Sequence, residues 1–171
     1  MCIRDRGDLS FKEESKAYGL DIEGLSIQSA FFDYDRDGDL DCYLLNNSLR
    51  SVGGFDLIRD KRKIPTETGN KFMENRNGKF YDVSSEAGIF TSEIGFGLGI
   101  TLSDFNLDGW TDIYISNDFF EKDYLYLNNQ DKTFSEVGSD YFQSLPMGSM
   151  GADVGDLDLS LIHISEPTRP Y

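Results

Sequence analysis

Two short acidic stretches have the residue types and spacing of a cation site. One reads Asp33-Tyr34-Asp35-Arg36-Asp37-Gly38-Asp39-Leu40-Asp41, the other Asp104-Phe105-Asn106-Leu107-Asp108-Gly109-Trp110-Thr111-Asp112. Both follow D-x-[DN]-x-D-G-x-x-D in the same phase. Carboxylates this close repel one another unless a cation lies among them. Hard oxygen donors on alternate residues around a glycine turn suit calcium. In the first loop, Asp33, Asp35, Asp37 and Asp41 are expected to turn their side chains to a shared ion, with the Asp39 carbonyl between them. In the second, Asp104, Asn106, Asp108 and Asp112 take those places, with the Trp110 carbonyl. Gly38 and Gly109 stand where the turn needs backbone angles that a side chain resists. The competing reading is a solvated acidic turn without metal, and a second copy in register weighs against it. Four carboxylates in the first loop, against three and an amide in the second, predict tighter binding in the first.

The elements on either side decide what kind of loop this is. An EF-hand opens with the same residues, but it needs a bidentate Glu at loop position 12 and flanking helices. Here that position is Leu44 in one loop and Ile115 in the other. Ala30-Phe31-Phe32 and Ile100-Thr101-Leu102 lead in, and Cys42-Tyr43-Leu44-Leu45 and Ile113-Tyr114-Ile115-Ser116 lead out. These short aromatic and β-branched runs predict strands. Each loop therefore joins two strands, and ligation ends at the ninth loop residue. A calcium sensor would need a bistable helix pair, which these flanks do not supply.

A second motif travels with the loops. It appears as Phe11-Lys12-Glu13-Glu14-Ser15, Phe80-Tyr81-Asp82-Val83-Ser84 and Phe134-Ser135-Glu136-Val137-Gly138, with Gly19-Leu20 and Gly88-Ile89 eight residues beyond the first two Phe. Phe11 precedes Asp33 by 22 residues and Phe80 precedes Asp104 by 24; 22 residues past Phe134 lies Asp156-Leu157-Asp158, the start of a third loop. Gly95-Phe96-Gly97-Leu98-Gly99 occupies the place of Gly24-Leu25-Ser26, with a fainter echo at Met150-Gly151-Ala152-Asp153. Self-similarity over tens of residues marks a solenoid or a propeller. Hairpins are predicted around Asn75-Arg76-Asn77-Gly78 and Asn128-Asn129-Gln130-Asp131. Helical turns are expected only at Glu13 to Tyr18 and Ser84 to Ala87. The fold expected is all-β: a partial β-propeller of about two to three four-stranded antiparallel blades with calcium loops.

Gly95-Phe96-Gly97, followed by Asp104 through Tyr114 in the pattern above, resembles the FG-GAP/VCBS repeat family. With Ser116-Asn117-Asp118, Tyr124-Leu125-Tyr126-Leu127-Asn128-Asn129 and Phe134, the chain is similar to one branch of it, the cartilage-acidic-protein-like proteins that often carry an ASPIC/UnbV domain. The resemblance spans residues 7–158. Members of the wider family, integrin α heads among them, form β-propellers whose loops bind calcium. The resemblance implies that fold, calcium as the bound ion, and secretion or display at the cell surface. Residues 48–70 depart from the pattern as an insertion.

Composition narrows the function classes. Acidic residues outnumber basic ones 31 to 16, for a net charge of −15, which argues against nucleic-acid binding. No apolar run reaches the length of a membrane span, and no signal peptide is evident at the start. The 171 residues are few for a closed propeller of about four to eight blades, so a fragment is expected. Residues 1–6 and 159–171 do not fit the repeat; both resemble translated sequencing-adapter read-through and are expected to be non-native. Cys2 and the single His, His163, fall in these ends. Cys42 remains, and a lone strand cysteine is expected to fill core.

Weaker signals concern partners and catalysis. Arg50, Arg59, Lys61, Arg62 and Lys63 in the insertion suit an anionic glycan or a partner, but a solvated loop is the simpler expectation. Asp118, Glu121 and Asp123 offer paired carboxylates of the kind that hydrolyse glycosides; a polar blade-edge loop is expected instead. Glycine-rich residues 95–99 lack the crossover helix of a nucleotide site and are expected to serve close strand packing. The expected function is a non-enzymatic, calcium-stabilised scaffold for extracellular or cell-surface recognition or adhesion, with an unidentified protein or glycan partner. The alternative is an accessory or catalytic propeller of a secreted carbohydrate-active enzyme.

Overall fold

The structure is a computed structural model that describes residues 10–47, 62–119, 121–146 and 148–155, and the backbone of residues 3–5. Strands dominate: β1 (Ile3–Asp5), β2 (Phe11–Glu13), β3 (Leu25–Phe32), β4 (Asp41–Asn47), β5 (Lys71–Asn75), β6 (Phe80–Asp82), β7 (Gly97–Ser103), β8 (Asp112–Asn117), β9 (Tyr124–Asn128) and β10 (Phe134–Glu136). Two single helical turns accompany them, α1 (Ser15–Tyr18) and α2 (Gly138–Tyr141). The first was expected. The second has no sequence signal, since four residues are too few to show a helical period.

Two four-stranded sheets form, ordered β3-β4-β5-β6 and β7-β8-β9-β10, with every neighbouring pair antiparallel. Each is an up-and-down meander, the expected blade. The two blades repeat in register: Phe80 faces Asn75 as Phe134 faces Asn128, and Phe32 faces Asp41 as Ser103 faces Asp112. Both first strands carry an irregularity at the same place, between Ser26 and Gln28 in one and between Gly97 and Gly99 in the other. Ile3–Asp5 pairs with Phe11–Glu13 so that Asp5 faces Phe11, the same register as the outer half of each blade.

The blades meet through three kinds of contact. An antiparallel bridge joins Asn47 to Phe96, and a Cβ on Gly97 would lie 2.2 Å from Leu45 Cδ1. Gly97 thus lets β7 approach the first blade, which is the packing role expected of the glycine-rich run. The Phe-then-Gly motif makes the second contact. Gly19 and Gly88 have φ of 78° and 77°, and a Cβ on them would lie 2.5 Å from the Phe80 carbonyl oxygen and 2.7 Å from that of Phe134. Each turn therefore tucks its glycine under the outer strand of the following blade, in a conformation that side chains resist. The third contact is aromatic. Tyr34, Phe72 and Phe134 are buried, with ring centroids 4.8 to 6.0 Å apart, a separation at which such pairs add about 0.5–1.5 kcal/mol each beyond area burial.

Residues 148–155 continue the pattern at the far side. The Ser149 N–H donates to the Asn117 carbonyl (2.7 Å), and the Thr101 hydroxyl donates to the Ala152 carbonyl (2.8 Å). They lie along β7 and β8 as residues 96–99 lie along the first blade. Every residue of β8 is buried, whereas Leu25, Ile27 and Phe31 on β3 are exposed. The third loop begun at Asp156 and Asp158, and residues 159–171, lie outside the described residues. No helix among the described residues is long and apolar enough to cross a membrane.

Candidate metal centre

Both loops sit where the first strand of a blade turns into the second, as expected. Their backbones match in detail. Position four is left-handed in each, at Arg36 (φ 62°) and Leu107 (φ 59°), and position six follows at Gly38 (φ 94°) and Gly109 (φ 88°). The opening carboxylate braces this turn. Gly38 N–H donates to Asp33 Oδ2 (3.1 Å), and Gly109 N–H to Asp104 Oδ2 (2.7 Å). Position five braces position seven: Asp39 N–H donates to Asp37 Oδ1 (2.9 Å), and Trp110 N–H to Asp108 Oδ1 (2.8 Å).

The structure brings Asp33, Asp35 and Asp37 together, with one carboxylate oxygen of each lying within 4.8 Å of the others. This group can hold a metal ion. The donors are all hard oxygens, and Asp33 Oδ1 is buried with no hydrogen-bond donor among the described residues. An unsatisfied buried carboxylate oxygen is costly unless a cation or donor meets it, so these residues fit the ion that their pattern implies. In the second loop, Asp104 Oδ1 and Asn106 Oδ1 both accept the Asp108 N–H (3.0 and 3.1 Å), which draws these two side chains to one point. The Trp110 N–H holds Asp108 below the usual carboxylate range. Asp39 and Trp110 were assigned through their carbonyls, and their N–H groups serve the turn as described.

The ninth residue of each loop does more than its spacing suggests. Asp41 and Asp112 are buried. Asp41 accepts the Tyr34 N–H at Oδ2 (3.2 Å) and the Asn75 N–H at Oδ1 (2.8 Å). Asp112 accepts the Phe105 N–H (2.8 Å) and the Asn128 N–H (2.8 Å) in the same way. Each carboxylate ties its loop to the end of the third strand of its blade. Burial pushes both up to about 6, because low polarity disfavours the charged form more than the two N–H donors favour it, and neighbouring loop carboxylates add to the rise.

Asn75 and Asn128, expected at hairpin turns, also serve the loops. Each also donates a side-chain N–H to its loop, Asn75 to the Leu40 carbonyl (3.1 Å) and Asn128 to the Thr111 carbonyl (3.5 Å). Their place in the register, opposite Phe80 and Phe134, is the signal that could have found them. Asn128 further donates to the Tyr34 carbonyl (2.8 Å), reaching from the second blade into the first loop. Two cations cross the same seam. The Arg36 guanidinium lies 4.1 Å from the Trp110 ring centroid and donates to the Gly109 carbonyl. Lys132 Nζ lies 2.6 Å from Asp35 Oδ2 and 2.9 Å from Glu74 Oε1, and these two carboxylates hold the ammonium above its usual range. No periodicity announces Arg36 or Lys132, because Arg36 is 73 residues from Gly109 and Lys132 is 97 from Asp35, and each pair meets only through the stacking of blades.

The carboxylates after the second loop differ from the expected polar edge. Glu121 and Asp123 are buried. Glu121 pairs with Arg62, and Asp123 accepts the Tyr114 hydroxyl (2.7 Å), the Asn117 N–H (2.7 Å) and the Ser149 hydroxyl. Arg62 is thus no solvated residue of the insertion; its side chain is 19% exposed and anchors residues 62–70 to the second blade. Asp118 Oδ1 accepts the neighbouring Phe119 N–H. Arg50, Arg59 and Lys61, with Phe120, lie outside the described residues. Cys42 is buried, as core filler should be.

Comparison with curated proteins gives no match to the chain. Comparison with protein families matches residues 104–159 to the FG-GAP-like repeat. The match opens on Asp104, the first residue of the second loop, and takes in β8, β9 and β10. An FG-GAP-like repeat at residues 104–159 accords with the two antiparallel four-stranded sheets.

Proposed function

We propose that the chain is a calcium-stabilised, non-catalytic β-propeller scaffold of the cartilage-acidic-protein-like branch, serving recognition or adhesion outside the cell or at its surface. The observation that carries this reading is the convergence of Asp33, Asp35 and Asp37 on one point beside the unpartnered Asp33 Oδ1, on a loop whose turn is repeated in the next blade. Asp33, Asp35, Asp37 and Asp41, with the Asp39 carbonyl, would hold one ion. Asp104, Asn106, Asp108 and Asp112, with the Trp110 carbonyl, would hold the other. A bound ion supplies charge neutralisation and links the strands on either side of each turn; its binding energy adds to folding stability. The partner, a protein or a glycan, meets the loops at one face of the propeller. Two engagements support a structural role for the other acids: Glu121 is held by Arg62, and Asp123 by three donors.

Thermal unfolding tests the reading. Calcium at about a hundredfold excess over its dissociation constant should raise the melting temperature by about 5–10 °C, and chelator should reverse the shift. An unchanged melting temperature in both conditions would remove the calcium scaffold.

A further inference from the structure

Lys132 is the one cation seen directly against a candidate ligand carboxylate among the described residues. It comes from the hairpin between β9 and β10 of the second blade, yet its ammonium sits on Asp35 of the first blade's loop (2.6 Å) and on Glu74 of β5 (2.9 Å). The Asp35 and Glu74 side chains are 3% and 7% exposed and that of Lys132 57%, so two shielded carboxylates share an ammonium whose side chain is partly screened by solvent. Arg76 Nε holds the other oxygen of Glu74 (2.7 Å). Oε1 therefore remains available to Lys132 as a second resting place. The second loop has no such arrangement: its third position is the uncharged Asn106, and Asp108 Oδ2 takes amide donors, Asn106 Nδ2 (2.9 Å) and Gln130 Nε2 (3.2 Å). Arg36 crosses the seam as well, but its contacts are the Gly109 carbonyl and the Trp110 ring.

We propose that Lys132 is a tethered counter-ion that competes with calcium for Asp35, withdraws to Glu74 when the ion binds, and so sets the affinity of the first loop from the neighbouring blade. This rests on the calcium reading above. It also changes the expected order of the two loops. Four carboxylates opposed by one ammonium carry the same net charge as the second loop's three carboxylates, so the first loop loses the advantage that its extra carboxylate implied. Neutralisation of Asp35 by Lys132 holds the two blades together before the ion arrives. After it arrives, the ammonium keeps Glu74 as its partner, and the seam stays bridged.

Calcium calorimetry on the full chain tests this, with Asp108→Ala in the background so that only the first loop titrates. Lys132→Met should tighten calcium binding by about three- to tenfold, the scale of one screened charge a few ångströms from a divalent ion. Lys132→Arg, which keeps the charge, should leave affinity within about twofold. Glu74→Gln removes the alternative partner and should weaken binding. The same change in the K132M background should do nothing, because the coupling runs through the ammonium. Calcium bound with equal or lower affinity in K132M would overturn the competition while leaving the calcium reading intact. So would a Glu74→Gln effect that persists without Lys132. Absence of calcium heat in every variant, wild type included, would remove both readings.

Discussion

Asp41 and Asp112 close their loops with both carboxylate oxygens engaged by backbone N–H groups, one inside the loop and one on the third strand. Their role in holding the fold is therefore separable from any role as ligands. Asp41→Ala leaves the N–H groups of Tyr34 and Asn75 without an acceptor in a buried place, and should cost about 1–3 kcal/mol even in chelator. Asp37 is exposed and braces only the next turn residue but one. Asp37→Ala should cost about 0.5 kcal/mol or less in chelator, yet abolish most of the stabilisation that calcium confers. Denaturant unfolding of the two variants with and without calcium separates these effects. Equal losses in chelator would show that the buried carboxylate is no clamp. The approach of Asp33, Asp35 and Asp37 to one another was legible from spacing, because alternate side chains in a tight turn come close. The clamp was not, since Asn75 and Asn128 reach the loops only once the hairpins fold back beside them.

At the scale of elements, the strands flanking the loops, both hairpins and the turn at α1 follow from local pattern: β-branched and aromatic runs, Asn/Gly turns, and a repeated Phe-to-Gly interval. That interval has a physical meaning that the sequence alone does not disclose. Gly19 and Gly88 take left-handed backbone angles directly beneath the Phe80 and Phe134 carbonyls. Gly88→Ala adds both a resisted conformation and a Cβ 2.7 Å from a backbone oxygen, so it should destabilise the chain by about 1–3 kcal/mol. Gly78→Ala, at φ 81° with open space around it, should lose only the conformational part. Melting curves of the pair check this, and equal losses would mean that the approach to Phe134 is relaxed freely. The Arg62–Glu121 pair, with its carboxylate buried, was hidden for a related reason. Its partners are 59 residues apart and meet only because residues 62–70 lie against the second blade, so each charge read alone looked like a solvated one.

For the whole molecule, two blades of one design stack so that the turn of one lies against the turn of the next. Arg36 on Trp110, Asn128 on Tyr34 and Lys132 on Asp35 all cross at that level. A calcium ion is expected at each of two equivalent turns between strands. Anomalous diffraction from crystals of the chain grown with calcium would locate both. Peaks should appear among the carboxylates of Asp33, Asp35 and Asp37, and again between Asp104, Asn106 and Asp108, with the Asp33 Oδ1 oxygen among the nearest atoms of the first. Calcium-saturated crystals with water or no density at both turns would rule out bound calcium there.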